Sequence, residues 1–177
     1  MKNIECEERV MIDFDQYTKL MSEYVAIDPN FRILCIENIY LDDKELSLRK
    51  KHDVLRIRNT NGHIELTLKT KGDEGDLEIN ETPEKHPEID KHLEKPFDEY
   101  KEIARLKTNR VEAKEKDYLV VIDQNMYNGI IDYDLEVEAS SLKKAKEAIQ
   151  DICKRFSLQY KSGYISKIRR ALMTKKD

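Results

Sequence analysis

The sequence predicts an antiparallel α+β fold, and three observations carry that expectation. First, Asn61-Gly62 sits between two alternating runs within residues 54–71, and both residues tolerate the positive φ of a two-residue hairpin turn. Second, further strand-like runs, many of them alternating, recur at 4–10, 31–43, 76–82, 105–113, 117–123 and 130–139. Third, helical patterns fall between them with no strand–helix–strand rhythm and no glycine-rich phosphate loop, which argues against a parallel nucleotide-binding sheet.

The elements follow in order. Residues 4–10 place Glu5, Glu7 and Arg9 on one face and Ile4, Cys6, Glu8 and Val10 on the other. A helix is expected from 13 to 24, where Tyr17, Leu20, Met21 and Tyr24 fall at i, i+3, i+4, i+7 and Asp13 with Gln16 makes a capping box. Pro29-Asn30 breaks the chain before a strand at 31–43 and a helical turn at 44–50. In the hairpin, Thr60 should pair with His63, Arg58 with Glu65 and Arg56 with Thr67. That register gathers Arg56, Arg58, Glu65, Thr67, Lys69 and Lys71 on one face and Leu55, Ile57, Ile64, Leu66 and Leu68 on the other. Gly72 and Gly75 bracket a turn into the strand at 76–82. Residues 83–105 read as helical, with Ile89, Leu93, Phe97, Tyr100 and Ile103 on the apolar side and a break at Pro96. Strands resume at 105–113, 117–123 and 130–139, the last two joined through a loop ending at Asn128-Gly129. Residues 140–156 form a serine-capped amphipathic helix that buries Leu142, Ala145, Ile149, Ile152 and Phe156, and a basic tail follows.

Composition narrows the function. The 177 residues suffice for one domain, 1–177, with a single core. Charged residues make up 38% of the chain, yet the net charge is −4, so any basic site is local and a general nucleic-acid binder is not expected. Cys6, Cys35 and Cys153 are widely spaced and odd in number, which suits a reducing cytoplasmic compartment, with Cys6 and Cys35 expected in the core. His52, His63, His86 and His92 lack zinc-type spacing and read as surface residues. No apolar run is long enough to span a membrane, and the first residues lack a signal-peptide core. A monomer and a homodimer fit equally well.

Charge is sorted by strand. Arg56, Arg58, Lys69 and Lys71 crowd one hairpin face, whereas Asp132, Asp134, Glu136 and Glu138 form a purely acidic row. An antiparallel sheet with one wet face would leave all of these rows simply solvated. Against that, four carboxylates in a row repel one another unless cations or a metal sit among them. Carboxylates for a hard divalent ion, together with Arg and Lys for phosphate oxygens, equip a site for phosphoryl transfer. A closed barrel with a polar lumen would bring the two sets together.

These residues stand in an order that resembles the CYTH superfamily, the triphosphate tunnel metalloenzymes. The family's E-x-E-x-K strand appears as Glu5-Cys6-Glu7-Glu8-Arg9, its Y-x-D as Tyr40-Leu41-Asp42, and its two basic strands as Leu55-Arg56-Ile57-Arg58 and Leu66-Thr67-Leu68-Lys69. Arg110, Asp123, Glu136-Val137-Glu138 and Lys167 complete the set, which covers nearly the whole chain. The resemblance implies a closed eight-stranded antiparallel tunnel with helices outside. It implies a triphosphate gripped by Arg56, Arg58, Lys69, Lys71, Arg110 and Lys167, and Mg²⁺ or Mn²⁺ held by Glu5, Glu7, Glu136 and Glu138. Asp123 and Glu78 would help hold the metal, with Glu81 competing for the place of Glu78. Glu5, Glu7 and Arg9 would form the catalytic strand. Two departures stand out: Arg9 replaces a Lys, which argues against a lysine-type acid/base role because Arg keeps its proton but leaves phosphate binding in place, and Asp43 follows the Y-x-D where many members carry Thr. The expected activity is metal-dependent hydrolysis of inorganic triphosphate or a small organic triphosphate. A non-catalytic polyphosphate or nucleotide sensor and an adenylate cyclase remain as alternatives.

Overall fold

The computed structural model describes residues 2–161, 163 and 165–175. Its strands are β1 (Lys2–Ile12), β2 (Arg32–Asp42), β3 (Val54–Thr60), β4 (His63–Thr70), β5 (Asp76–Glu81), β6 (Lys101–Glu115), β7 (Tyr118–Tyr127) and β8 (Ile130–Ala139). They close into an antiparallel barrel in the order β1-β5-β4-β3-β2-β6-β7-β8. Closure falls on β1, which pairs with β5 up to Glu5 and with β8 from Cys6 onward. Each strand of the closed barrel thus has a hydrogen-bonded neighbour on both sides among the described residues. Among the described residues, five helices accompany the barrel: α1 (Phe14–Ile27), α2 (Ser47–Lys50), α3 (Pro87–Asp90), α4 (Leu142–Phe156) and α5 (Lys167–Met173). No helix among the described residues is long and apolar enough to cross a membrane.

Local chemistry sets the element ends. Asp13 caps α1 in a capping box, its carboxylate accepting from the Gln16 N–H at 2.8 Å while its own N–H donates to Gln16 Oε1 at 2.9 Å. Ser141 caps α4. Asn61 and Gly62 take φ of 51° and 93°, and the hairpin register is the one their turn dictates. Gly75 (φ +138°) lies where an added Cβ would meet Cys6 Sγ at 2.9 Å, so loop 71–75 can lie against β1 only with glycine there.

Period-two alternation then sorts the faces. Outward residues of β1, β7 and β8 (Val10, Val120, Ile122, Leu135, Val137) are buried under Leu20 and Tyr24 of α1 and Ile149 and Ile152 of α4. The apolar row of the hairpin (Leu55, Leu66, Leu68) packs with Ile79 against Leu48, Ile89 and Tyr100. Burial of that magnitude, about 1.5–3 kcal/mol per large side chain, fixes which face turns outward. The charged row is left for the lumen. At one end, Tyr40, Ala104, Leu106 and Tyr127 pack against Ala171 of α5, which covers that part of the lumen.

Three expectations need correction. Residues 83–105 hold only the one-turn α3 and a 3₁₀ turn at Phe97–Glu99, and β6 begins at Lys101. Pro83, Pro87 and Pro96 interrupt the helical ladder. Pairing of β6 with β2 then extends the strand down to Lys101 opposite Asp42. Cys35 is exposed rather than in the core, because β2 turns it outward where no helix covers it; Cys6 and Cys153 are buried and all three cysteines are free. Leu142 stays 38% exposed at the first turn of α4, where it lines the cavity instead of the core.

Candidate active site in the barrel lumen

The lumen holds a cavity of about 800 Å³ lined by most of the sequence-predicted residues. Glu5 and Glu7 reach it from β1 and Glu138 from β8; these three can bring one carboxylate oxygen each within 4.8 Å of one another. Lys69 reaches into the same group, 2.6 Å from Glu5 and 3.2 Å from Glu7. Burial alone would raise Glu7, but Arg9 and Lys69 outweigh it and hold its carboxyl at about 2. Glu138 is the opposite case. Burial, then the charge of Glu5, pushes it up to about 7. Among the described residues it has no hydrogen bond and no cation within 4.0 Å. Three crowded carboxylates, one of them with no cation in contact, are a donor set that fits a hard divalent cation.

The next wall is cationic. Arg56 meets Glu78 at 3.3 Å, and Arg58 meets the Asn38 amide oxygen at 3.0 Å. Glu78 is steadied by Asn80, whose Nδ2 donates at 2.9 Å while its Oδ1 accepts from Thr67 at 2.8 Å. Glu81 points to the other face and accepts from the Ile89 N–H, so Glu78 is the glutamate that lies in the lumen. Lys71 departs from the expected inward face. It follows the last residue of β4, its side chain is 63% exposed, and it pairs with Asp76 at the rim of the cavity.

Toward α5 nearly every charge is matched. Arg110 makes a two-pronged contact with Asp123, 2.8 Å on each prong, and reaches Glu136 at 3.3 Å. Lys167 also binds Asp123 and lies 2.6 Å from Glu136. Arg9 completes the group, 2.7 Å from Glu136 and 3.3 Å from Glu7. Burial would raise Glu136, but Arg9, Lys167 and Arg110 hold it well below the carboxylate range. Thus Asp123 and Glu136 are surrounded by cations, while Glu5, Glu7 and Glu138 are the carboxylates that come together, with Lys69 beside the first two and Arg9 beside Glu7.

Sequence reasoning missed Asn38, Asn80 and Arg170. Parity could have found the first two, since Asn38 shares a face with Tyr40 and Asn80 with Glu78. Arg170 sits one helical turn after Lys167 and binds Asp132 and Asp134, each at 2.8 Å. Asp42 and Asp43 serve α2: Asp42 accepts from the Leu48 and Arg49 N–H groups, and Asp43 from Ser47 N–H and hydroxyl.

The structure is a closed eight-stranded barrel whose lumen sets an acidic cluster beside a basic wall. The chain belongs to the CYTH domain family, whose model matches residues 3–172. A protein of Bacillus subtilis (strain 168) named "Putative triphosphatase YjbK" is 28% identical over 170 residues, spanning 89% of this chain and 88% of that one. A crystal structure from Bacillus halodurans described as a "putative adenylate cyclase" matches with a TM-score of 0.82 at 26% identity, covering 96% of this chain and 97% of the other. A Hippeastrum protein, described as a "putative adenylyl cyclase" with a dominant triphosphatase activity, shares the fold at a TM-score of 0.71 and 18% identity, covering 98% and 96%.

Proposed function

We propose that this protein hydrolyses a triphosphate, inorganic or borne on a small organic group, inside the barrel with the help of Mg²⁺ or Mn²⁺. The observation that carries the reading is the split in the lumen: among the described residues Arg58 has no carboxylate within 4.0 Å on one wall, and Glu138 has no cation within 4.0 Å on another, Glu78 and Arg110 acting on them only from farther off. A polyanion satisfies the first and a divalent cation the second. The name of the Bacillus subtilis relative supports the same class of substrate.

Glu5, Glu7 and Glu138 would hold the metal, which supplies charge neutralisation and a polarised water when bound. Arg56 and Arg58 would grip non-bridging oxygens from one side, and Lys69 from beside the carboxylates. Arg110 and Lys167, set in place by Asp123 and Glu136, would meet the far end of the phosphate chain. Glu78 orients Arg56 rather than binding metal. Arg9, held between Glu7 and Glu136, stays protonated and positions those carboxylates.

A phosphate-release panel tests this, with inorganic triphosphate, longer polyphosphate, ATP and thiamine triphosphate in Mg²⁺ or Mn²⁺. The expected result is release of phosphate from a triphosphate, abolished by EDTA. Binding without turnover would favour the sensor, and a cyclic nucleotide product would favour the cyclase.

A further inference from the structure

Arg58 is distinguished from the other lumen cations by what faces it. Arg9, Arg56, Lys69 and Arg110 each have a carboxylate oxygen within 2.6 to 3.3 Å. Directly across from Arg58 in the β2–β3 register stands Asn38, 3% exposed, whose amide oxygen accepts from Arg58 Nε at 3.0 Å. No described residue takes a hydrogen bond from the two terminal guanidinium nitrogens, and no carboxylate lies within 4.0 Å. An aspartate in place of Asn38 would have nearly the same shape and would neutralise the guanidinium. The amide supplies direction and withholds charge.

We propose that Asn38 is a positioning residue whose neutrality keeps the Arg58 guanidinium aimed and free of a contacting carboxylate, so that a phosphate oxygen of the substrate provides the directly paired negative charge. This rests on the reading that a triphosphate enters the lumen. The surroundings of Arg58 fit the role: burial, then the charges of Arg56 and Arg110, lower it to about 10. A half-buried cation with no carboxylate in direct contact is costly in the empty protein, and an anion that pairs with it removes that penalty only on binding. The two terminal nitrogens, with four N–H groups between them, are suited to two-pronged contact with a phosphate.

The test is Asn38→Asp, alone and combined with Arg58→Gln. Binding of inorganic triphosphate is followed by calorimetric titration in EDTA, and KM and kcat are measured with Mg²⁺. Asn38→Asp should raise the melting temperature of the ligand-free protein, weaken triphosphate binding at least tenfold, and raise KM by a larger factor than it lowers kcat. In the Arg58→Gln background, the added Asn38→Asp change should have less than a threefold effect on binding. Wild-type affinity in Asn38→Asp, or an equal loss with and without Arg58, would overturn the proposal. A wild-type protein that binds no triphosphate in either assay would overturn the functional reading, and this proposal with it.

Discussion

Glu136 and Glu138 stand two residues apart on the same face of β8, and their surroundings are opposite. Glu136 is 1% exposed and meets Arg9, Arg110 and Lys167. Glu138 meets Glu5 and Glu7 instead, and its carboxyl rises to about 7. The same contrast divides the lumen. Under α5, Asp123, Asp132, Asp134 and Glu136 are held by Arg110, Lys167 and Arg170. Near β1 and β3, neither Glu138 nor Arg58 has an opposite charge within 4.0 Å among the described residues. Matched buried charges hold a structure in one arrangement, and unmatched ones mark where a ligand's charge belongs.

The strongest way to break the comparison is to remove each glutamate in turn. Glu136→Ala leaves three cations facing one another and should destabilise the metal-free protein by about 3–5 kcal/mol, read by denaturant unfolding in EDTA. Glu138→Ala should leave metal-free stability unchanged or higher while lowering metal-dependent turnover at least about a hundredfold. Equal destabilisation by the two variants would mean that Glu138 has a structural ion partner and is no metal ligand.

A second probe is Arg58→Ala against Arg110→Ala. Arg58→Ala should hold or raise the melting temperature of the ligand-free protein and shrink the gain that triphosphate with metal produces. Arg110→Ala should lower the ligand-free melting temperature, because it strips a two-pronged partner from Asp123. If both behave alike, the division of the lumen is not real.

Acid titration sharpens the contrast. Glu138 is an acid whose folded value, about 7, lies above its unfolded reference of 4.5. Its contribution is therefore most favourable below pH 4.5 and is lost as pH rises toward 7, by about 3 kcal/mol at most. Glu138→Gln should flatten the decline in metal-free stability between those values. Glu7 runs the other way: held at about 2, it contributes stability above pH 4.5 that is lost as pH falls toward 2. A stability profile of Glu138→Gln that matches the wild type across pH 4.5–7 would contradict the assignment.

Arg9→Lys should give the smallest effect. Lysine keeps the charge next to Glu7 and Glu136 and loses the double reach of the guanidinium, so activity should stay within about tenfold of wild type. Arg9→Ala should weaken triphosphate binding more than that. If the lysine variant is as inactive as the alanine one, the fork geometry itself is required.

Much of this was legible in the residues alone. The Asn61-Gly62 turn specifies the hairpin register, and a period of two then decides which side chains share a face. Hence Arg56, Arg58 and Lys69 could be placed together before any barrel was known. The segment at 83–105 was not legible, because its apolar spacing suits a helix while pairing of β6 with β2 outweighs that preference. Cys35 was misplaced because alternation tells which residues share a face but not whether a helix covers it.

By itself the sequence determined the strand parity, the hairpin turn, the caps of α1 and α4, and the presence of an acidic row and a basic row. All of these are set within a few residues of chain, by dihedral preference and by alternation. The tertiary structure alone decided which charges meet. Asp123 and Lys167 are 44 residues apart, and Lys69 and Glu5 are 64. Barrel closure and the docking of α5 bring them together. Whether a carboxylate is matched or left open depends on those distances, because Coulomb interaction between buried groups acts across space and not along the chain.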